Sequence, residues 1–303
     1  MSRTYSFYGC RLESEIPLSF VSSLEDTRPA EVRLDSGNVP GQLADAVWSG
    51  PVVSIDRCGK ALVSVGPVGR FLIEGGTKIT LHAAPEAVPV EIEALLIGLV
   101  AGILLHQRGA FPLHASCVEI GGMAIALTGR VGCGKSTLAA ALVRRGARLM
   151  SDDICPVAFC REAGPMALPG SAGLRLCPDA REMFAGAGTV WLPYRRGRAK
   201  HVAVPAQGDP PTARRLGAVV RLVLNADPGA EIRRLYGPPA VSPIAEVVYR
   251  FRLGRALDRT EGLFRDAMEL AAKVPVFELR RPERLDQVER AVDCVIAAMG
   301  SCS

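Results

Sequence analysis

The sequence predicts an α/β protein, a phosphate-loop nucleotide-binding core preceded by a small β-rich domain. Three observations predict it. Residues 124–153 read as strand, glycine loop, helix, strand and then two adjacent carboxylates. Residues 5–81 carry short alternating apolar runs punctuated by turn residues, the pattern of a small sheet. The 303 residues are 49% hydrophobic, enough to bury a substantial core in one large or two modest domains. The division expected is a β-rich domain over residues 1–83 and a nucleotide-binding domain over 91–303. The intervening stretch contains Pro85 and Pro89.

In the first domain, strands are expected over 5–8, 16–21, 31–34, 52–55, 61–65, 71–73 and 79–81. Turns such as Asp35-Ser36-Gly37-Asn38 and Glu74-Gly75-Gly76 separate them. An apolar helix is expected over 91–107. Residues 112–119 and 123–127 read as a hairpin about Gly121-Gly122, although a parallel pair fits the pattern too. Further strands are expected over 148–150, 156–160, 174–176, 218–224 and 274–279. Helices are expected over 137–145, 179–184, 243–253, 260–272 and 285–299. The arginine-, glycine- and proline-rich stretch 192–211 reads as a mobile loop.

The chemistry centres on Gly129-Arg130-Val131-Gly132-Cys133-Gly134-Lys135-Ser136, a full G-x-x-x-x-G-K-[ST] pattern with Thr137 following it. Glycines without Cβ let backbone N–H groups curl around phosphate oxygens. The helix that follows aims its dipole and unpaired N–H groups at the same anion. Lys135 adds a point charge near the β- and γ-phosphates, and the Ser136 hydroxyl is suited to Mg²⁺. ATP and Mg²⁺ are the ligands implied. Asp152 and Asp153 end the next strand. Beside Mg²⁺–ATP, one carboxylate can hold the metal and the other can accept a proton from an attacking hydroxyl. The assignment made is Asp152 as base and Asp153 as metal ligand, with exchange of the two left open. A helix cap or turn acid is the alternative. His114 lies on the strand before the loop strand, where it could reach the γ-phosphate, although a lone histidine is often structural.

Composition argues against other classes. The net charge is +5, carried mostly by arginine, and lysine occurs only at positions 60, 78, 135, 200 and 273. No recognition helix or aromatic signature accompanies the arginines, so no nucleic acid partner is expected. The most apolar run, 94–105, is about 12 residues, short for a bilayer, so no membrane role is expected. Nine cysteines lack zinc-ligand spacing, and one sits inside the phosphate loop; free thiols in a reducing cytoplasm follow. Residues 1–10 are polar and aromatic and do not form a signal-peptide pattern. A homo-oligomer is allowed by the sequence.

His114, the loop from Gly129 to Ser136, Gly146 and the Asp152-Asp153 pair resemble, in order and spacing, the carboxy-terminal catalytic domain of HPr kinase/phosphorylase. The resemblance implies the HPr kinase/PEP carboxykinase type of nucleotide core and an ATP-dependent serine kinase. The flanking sequence is similar to shorter HPr-kinase-related proteins encoded with ribosomally made peptides, including kinases of lasso-peptide precursors. Ile16-Pro17-Leu18 and Leu174-Arg175-Leu176-Cys177-Pro178 carry that likeness. The acceptor it implies is a serine of a peptide or small protein. Arg175 stands near the place of an acidic HPr kinase signature, so neither HPr as substrate nor a phosphorylase back-reaction carries over. Arg175 and Lys200 are candidate substrate contacts, and the basic stretch around Arg195, Arg196 and Lys200 is expected to close over a peptide. A nucleotide-binding regulatory protein with weak ATPase activity and a small-metabolite kinase are the rival readings.

Overall fold

The computed structural model describes residues 2–25, 28–171, 173–180, 190–193, 201–204, 211–225 and 229–300; for 190–193 and 201–204 the description is of the backbone. The amino-terminal region is one sheet of eight strands: β1 (Arg3–Phe7), β2 (Cys10–Ser14), β3 (Val32–Ser36), β4 (Ala46–Ser49), β5 (Val53–Asp56), β6 (Ala61–Val65), β7 (Gly69–Glu74) and β8 (Lys78–Ala83). They lie in the order β1-β2-β3-β8-β7-β6-β5-β4. Two of these strands, β2 and β4, escape the sequence pattern, and the expected strand over 16–21 does not form. Pro17 has no N–H to give a ladder. The N–H groups of Ser19 and Phe20 instead donate to the Glu93 carboxylate, and that of Leu18 donates to Tyr5 Oη at 3.1 Å. Leu18, Phe20 and Val21 are buried without pairing. The edge strand β4 has no buried face to produce an alternation, since only Trp48 is half-buried.

Helix α1 (Pro89–Gln107) contains a π-helical turn at Leu96–Val100. At 19 residues it is longer than the apolar run suggests, and by length and composition it could cross a membrane. Its apolar surface has another use, since 83% of its most apolar window is buried inside the fold. Leu95, Ile97 and Ile103 share one core with Phe7, Ile55 and Phe71 of the sheet, and with Ile154, Tyr249 and Leu253 from the rest of the chain. The change from strand to helix near residue 84 is therefore not a break in the core. Deleting residues 1–82 would expose the whole sheet-facing side of α1. We expect the remaining fragment to aggregate and to lose a cooperative melt, measured by size-exclusion chromatography and circular dichroism. A soluble, cooperatively folding fragment would contradict this.

The second region is a mixed sheet. Its strands are β9 (Phe111–Leu113), β10 (Ser116–Ile120), β11 (Met123–Gly129), β12 (Arg148–Ser151), β13 (Cys155–Cys160), β14 (Gly164–Ala167), β18 (Arg214–Asn225), β19 (Glu231–Leu235) and β20 (Val276–Pro282). Strand β15 (Leu174–Leu176) belongs to a separate three-stranded sheet with β16 (Val190–Pro193) and β17 (His201–Val204). Those two strands correct the expected mobile loop over 192–211; residues 194–200 and 205–210, with Arg195, Arg196 and Lys200, lie outside the described residues. Strands β10 and β11 form the antiparallel hairpin, with Gly121 and Gly122 at φ 57° and 80°. Strands β11, β18 and β20 run parallel, and β10 lies between β11 and β12. Period-2 alternation splits the core. Ile125, Leu127, Val220 and Leu222 pack with α2 (Lys135–Arg144) and α6 (Val288–Gly300), whereas Ala124, Ala126 and Val219 pack with α3 (Pro238–Ala245) and α5 (Thr260–Lys273).

The helix expected over 243–253 is interrupted. It forms as α3 and a separate α4 (Phe251–Ala256). Between them the backbone is drawn onto β9: His114 N–H donates to Val247 O at 2.6 Å and Tyr249 N–H donates to Pro112 O at 2.7 Å. Arg250 then turns the chain in the left-handed region, at φ 53°. β19 also forms, without a sequence signal strong enough to predict it.

Candidate active site

The glycine loop leaves the carboxyl end of β11, a central strand, and enters α2. Gly129, Gly132 and Gly134 have φ of 133°, 87° and 90°, conformations that a Cβ would strain. Gly134 is the residue before α2 and makes no side-chain cap, so the first-turn N–H groups point out of the helix at the loop. Arg130, Val131 and Gly132 are exposed at the tip, and Cys133 is buried beneath it. Burial pushes the Cys133 thiol up, against the pull of Lys135 and Arg281, so it stays neutral. Lys135 Nζ donates to Gly129 O at 2.9 Å and Arg130 O at 3.3 Å, which holds the ammonium along the loop. Ser136 and Thr137 occupy the first turn of α2, half-buried.

The loop is propped from below by Arg281, at the end of β20 and only 3% exposed. Its Nη2 donates to Cys133 O at 3.0 Å and its Nη1 to Pro282 O at 3.2 Å. A Cβ on Gly134 would meet Arg281 Nη2, whereas one on Gly132 would meet open space. Gly134→Ala is expected to displace this prop, lowering stability by about 1–2 kcal/mol from backbone strain alone and weakening nucleotide binding. Gly132→Ala carries only the backbone strain. Equal denaturation midpoints for the two variants would show that the Arg281 contact is immaterial.

The two aspartates part company. Asp152 is 1% exposed and its carboxylate meets three donor groups. It accepts from Ser116 Oγ at 2.5 Å, from Ser136 Oγ at 2.9 and 3.1 Å, and from Arg175 N–H at 2.8 Å. Asp153 is only partly buried and sits in the left-handed region at φ 73°, so its side chain turns away from that of Asp152. The Arg175 guanidinium closes on Asp153 Oδ2, His114 Nδ1 lies 3.3 Å from Oδ1, and Tyr249 Oη donates at 3.5 Å. Burial pushes the Asp153 carboxyl up, but Arg175, His114 and Arg250 together outweigh it and hold it below its ordinary value. His114 Nδ1 also faces Asp153 O at 3.0 Å. Both neighbours are acceptors, which places a ring proton on Nδ1. Burial and the Asp153 charge raise Tyr249 to about 12, so its hydroxyl remains protonated.

Two clefts meet at this point. One, of about 520 Å³, runs along Gly129, Arg130 and Val131 and includes His114. The other, of about 850 Å³, runs between the amino-terminal sheet, α1 and α4. Asp153, Tyr249 and Arg250 line both.

Residues 109–172 match the family of the HPr Serine kinase C-terminal domain. Among solved structures, the Hpr(Ser) kinase/phosphatase from Coxiella burnetii is similar to this chain at 15% identity, over 63% of this chain and 97% of that one, with a TM-score of 0.33. No curated protein matches the chain. The HPr-kinase-like segment contains His114, the glycine loop and both aspartates, but Arg175, Tyr249, Arg250 and Arg281 lie beyond it.

Of the residues singled out in the sequence, the fold brings together His114, Asp153 and Arg175, and separately Ser136 and Asp152. Lys200 lies outside the described residues. Ser116, Tyr249, Arg250 and Arg281 escape sequence reasoning. Ser116 alone had a signal, since it follows His114 by two positions and alternation favours the same side of the chain. Among the described residues no cluster of three or more His, Cys, Asp or Glu side chains forms a metal cage. Ser136 with Asp152 nevertheless suits Mg²⁺, which typically takes one or two protein oxygens and completes its shell with phosphate and water.

Proposed function

We propose that this chain is an ATP-dependent kinase that transfers the γ-phosphoryl group to a serine hydroxyl of a peptide or small protein, with ribosomally made precursor peptides as the first candidates. One observation carries the reading: Asp153 stands at the junction between the cleft along the phosphate loop and a second, apolar cleft. A base for phosphoryl transfer belongs between nucleotide and acceptor. The match of residues 109–172 to the HPr Serine kinase C-terminal domain supports the same class of reaction.

In this reading the N–H groups of Gly132–Lys135 hold the phosphates and Lys135 stabilises charge that grows on the transferring group. The Ser136 hydroxyl and Asp152 would hold Mg²⁺, which neutralises phosphate charge. From sequence alone Asp152 is the base and Asp153 the metal ligand; the hydrogen bonds favour the reverse. Asp152 is enclosed by donors, whereas Asp153 is reachable from the apolar cleft. The serine oxygen bonds to phosphorus as the bond to the ADP oxygen breaks, and Asp153 takes the serine proton. His114 orients Asp153 through Nδ1–H. The eight free cysteines among the described residues suit a reducing cytoplasm. Incubation with Mg²⁺–ATP and co-expressed candidate peptides, followed by mass spectrometry, tests the proposal. One phosphate on a serine is the expected product, and ADP release without any phosphorylated acceptor would overturn it.

A further inference from the structure

The apolar cleft has the dimensions of a binding site, and nothing above assigns its occupant. One wall is a stripe of α1: Glu91, Leu95, Gly98 and Leu99, at i, i+4, i+7 and i+8. The facing wall is made by two hairpin tips of the amino-terminal sheet, bringing Val52, Val65 and Pro67, with Trp48 beside them. The third wall is Tyr249 to Leu253 at the start of α4. Phe251 is 42% exposed there.

The cleft has a direction. Its catalytic end lies beside Gly98 and Gly102: a Cβ on Gly102 would meet the Tyr249 ring at 2.7 Å, and one on Gly98 would approach Tyr249 Oη at 3.8 Å. Glu91 lies seven residues before Gly98, roughly 10 Å along the helix. The charges follow that axis. Asp153 and Arg175 neutralise each other. Arg250 packs over the Tyr249 ring at 5.6 Å, and Arg252 is exposed on the same wall. Arg250 thus stands beside Asp153, with Arg252 two residues on along the same wall.

We propose that this cleft holds the acceptor as an extended peptide segment, with a large apolar side chain seated between α1 and the hairpin tips and a carboxylate near the serine facing Arg250 and Arg252. The assignment rests on the kinase reading and specifies how that same site selects its substrate. Apolar burial supplies affinity, and the arginine pair sets register, because an acidic group bound there leaves the neighbouring hydroxyl at Asp153.

The test uses the full-length protein, labelled ATP and a positional array of short alanine-based peptides with a central serine. The expected preference is for an acidic residue next to the serine and a large apolar residue further along. Arg252→Glu should raise KM for the best acidic peptide by about tenfold to a hundredfold and shift the preference to a basic residue at that position. Val52→Asp, at a partly exposed hairpin tip, should abolish the apolar preference with little change in nucleotide affinity. Serine phosphorylation with preferences that neither variant alters would overturn the cleft assignment and leave the kinase reading standing. A protein that binds ATP and labels no serine peptide would overturn both.

Discussion

Lys135→Ala should slow phosphoryl transfer by about 10²–10³-fold or more. The side chain is nearly buried and held along the loop by Gly129 O and Arg130 O, so its charge stands at the loop before a nucleotide arrives. A charge that interacts more strongly with the transferring phosphoryl than with bound ATP lowers the barrier, not merely the dissociation constant. Single-turnover transfer to a peptide, with nucleotide affinity measured in parallel, separates the two. Transfer at near wild-type rate would remove the loop from the catalytic site.

Asp153→Asn should reduce transfer by about 10²–10⁴-fold while nucleotide affinity holds, because the proton acceptor is lost together with the charge that balances Arg175. Asparagine also tolerates the left-handed backbone at this position, so the local turn is kept, while the uncompensated Arg175 should lower the melting temperature. Asp152→Asn should act differently. The backbone N–H of Arg175 needs an acceptor, so the amide nitrogen must turn toward Ser136 and Ser116, and the Mg²⁺ concentration required for activity should rise. If the two phenotypes are exchanged, the roles revert to those expected from sequence. The pH dependence adds a second readout. With its pKa held low, Asp153 stays ionised at neutral and mildly acidic pH, so it should not set an acid limb in that range. Its ion pair contributes stability above the unfolded carboxylate value, and that contribution is lost as pH falls through the folded value. Arg175→Met leaves burial less opposed, and the acid limb of kcat/KM should move to higher pH.

The glycine loop and the aspartate pair could be read from the chain because a turn between strand and helix is built from consecutive residues. His114 was expected on the neighbouring strand, whereas the fold sets it in the bend between β9 and β10, where its N–H bonds to Val247 O. Arg281 could not be found this way: nothing local marks an arginine at the end of β20 as the support of a loop 148 residues earlier. Tyr249 and Arg250 were hidden by an apolar rhythm that continues as if α3 and α4 were one helix. The backbone bonds to Pro112 and His114 overrule that rhythm. The change from strand to helix near residue 84 was legible in the change of period. Their shared core was not, since a helix pattern does not say which sheet will cover it.

That shared core orders events during synthesis. The eight strands end at residue 83, yet the layer that covers them is α1, and the last side chains of the same cluster are Tyr249 and Leu253. A nascent chain that has made all eight strands still presents an uncovered apolar face. It gains its main cover once residue 107 has emerged, and the cluster closes only with the residues beside Asp153. Completion of the oldest part of the fold and assembly of the cleft wall beside Asp153 are thus one late, non-local step, which contact-order reasoning places among the slow ones.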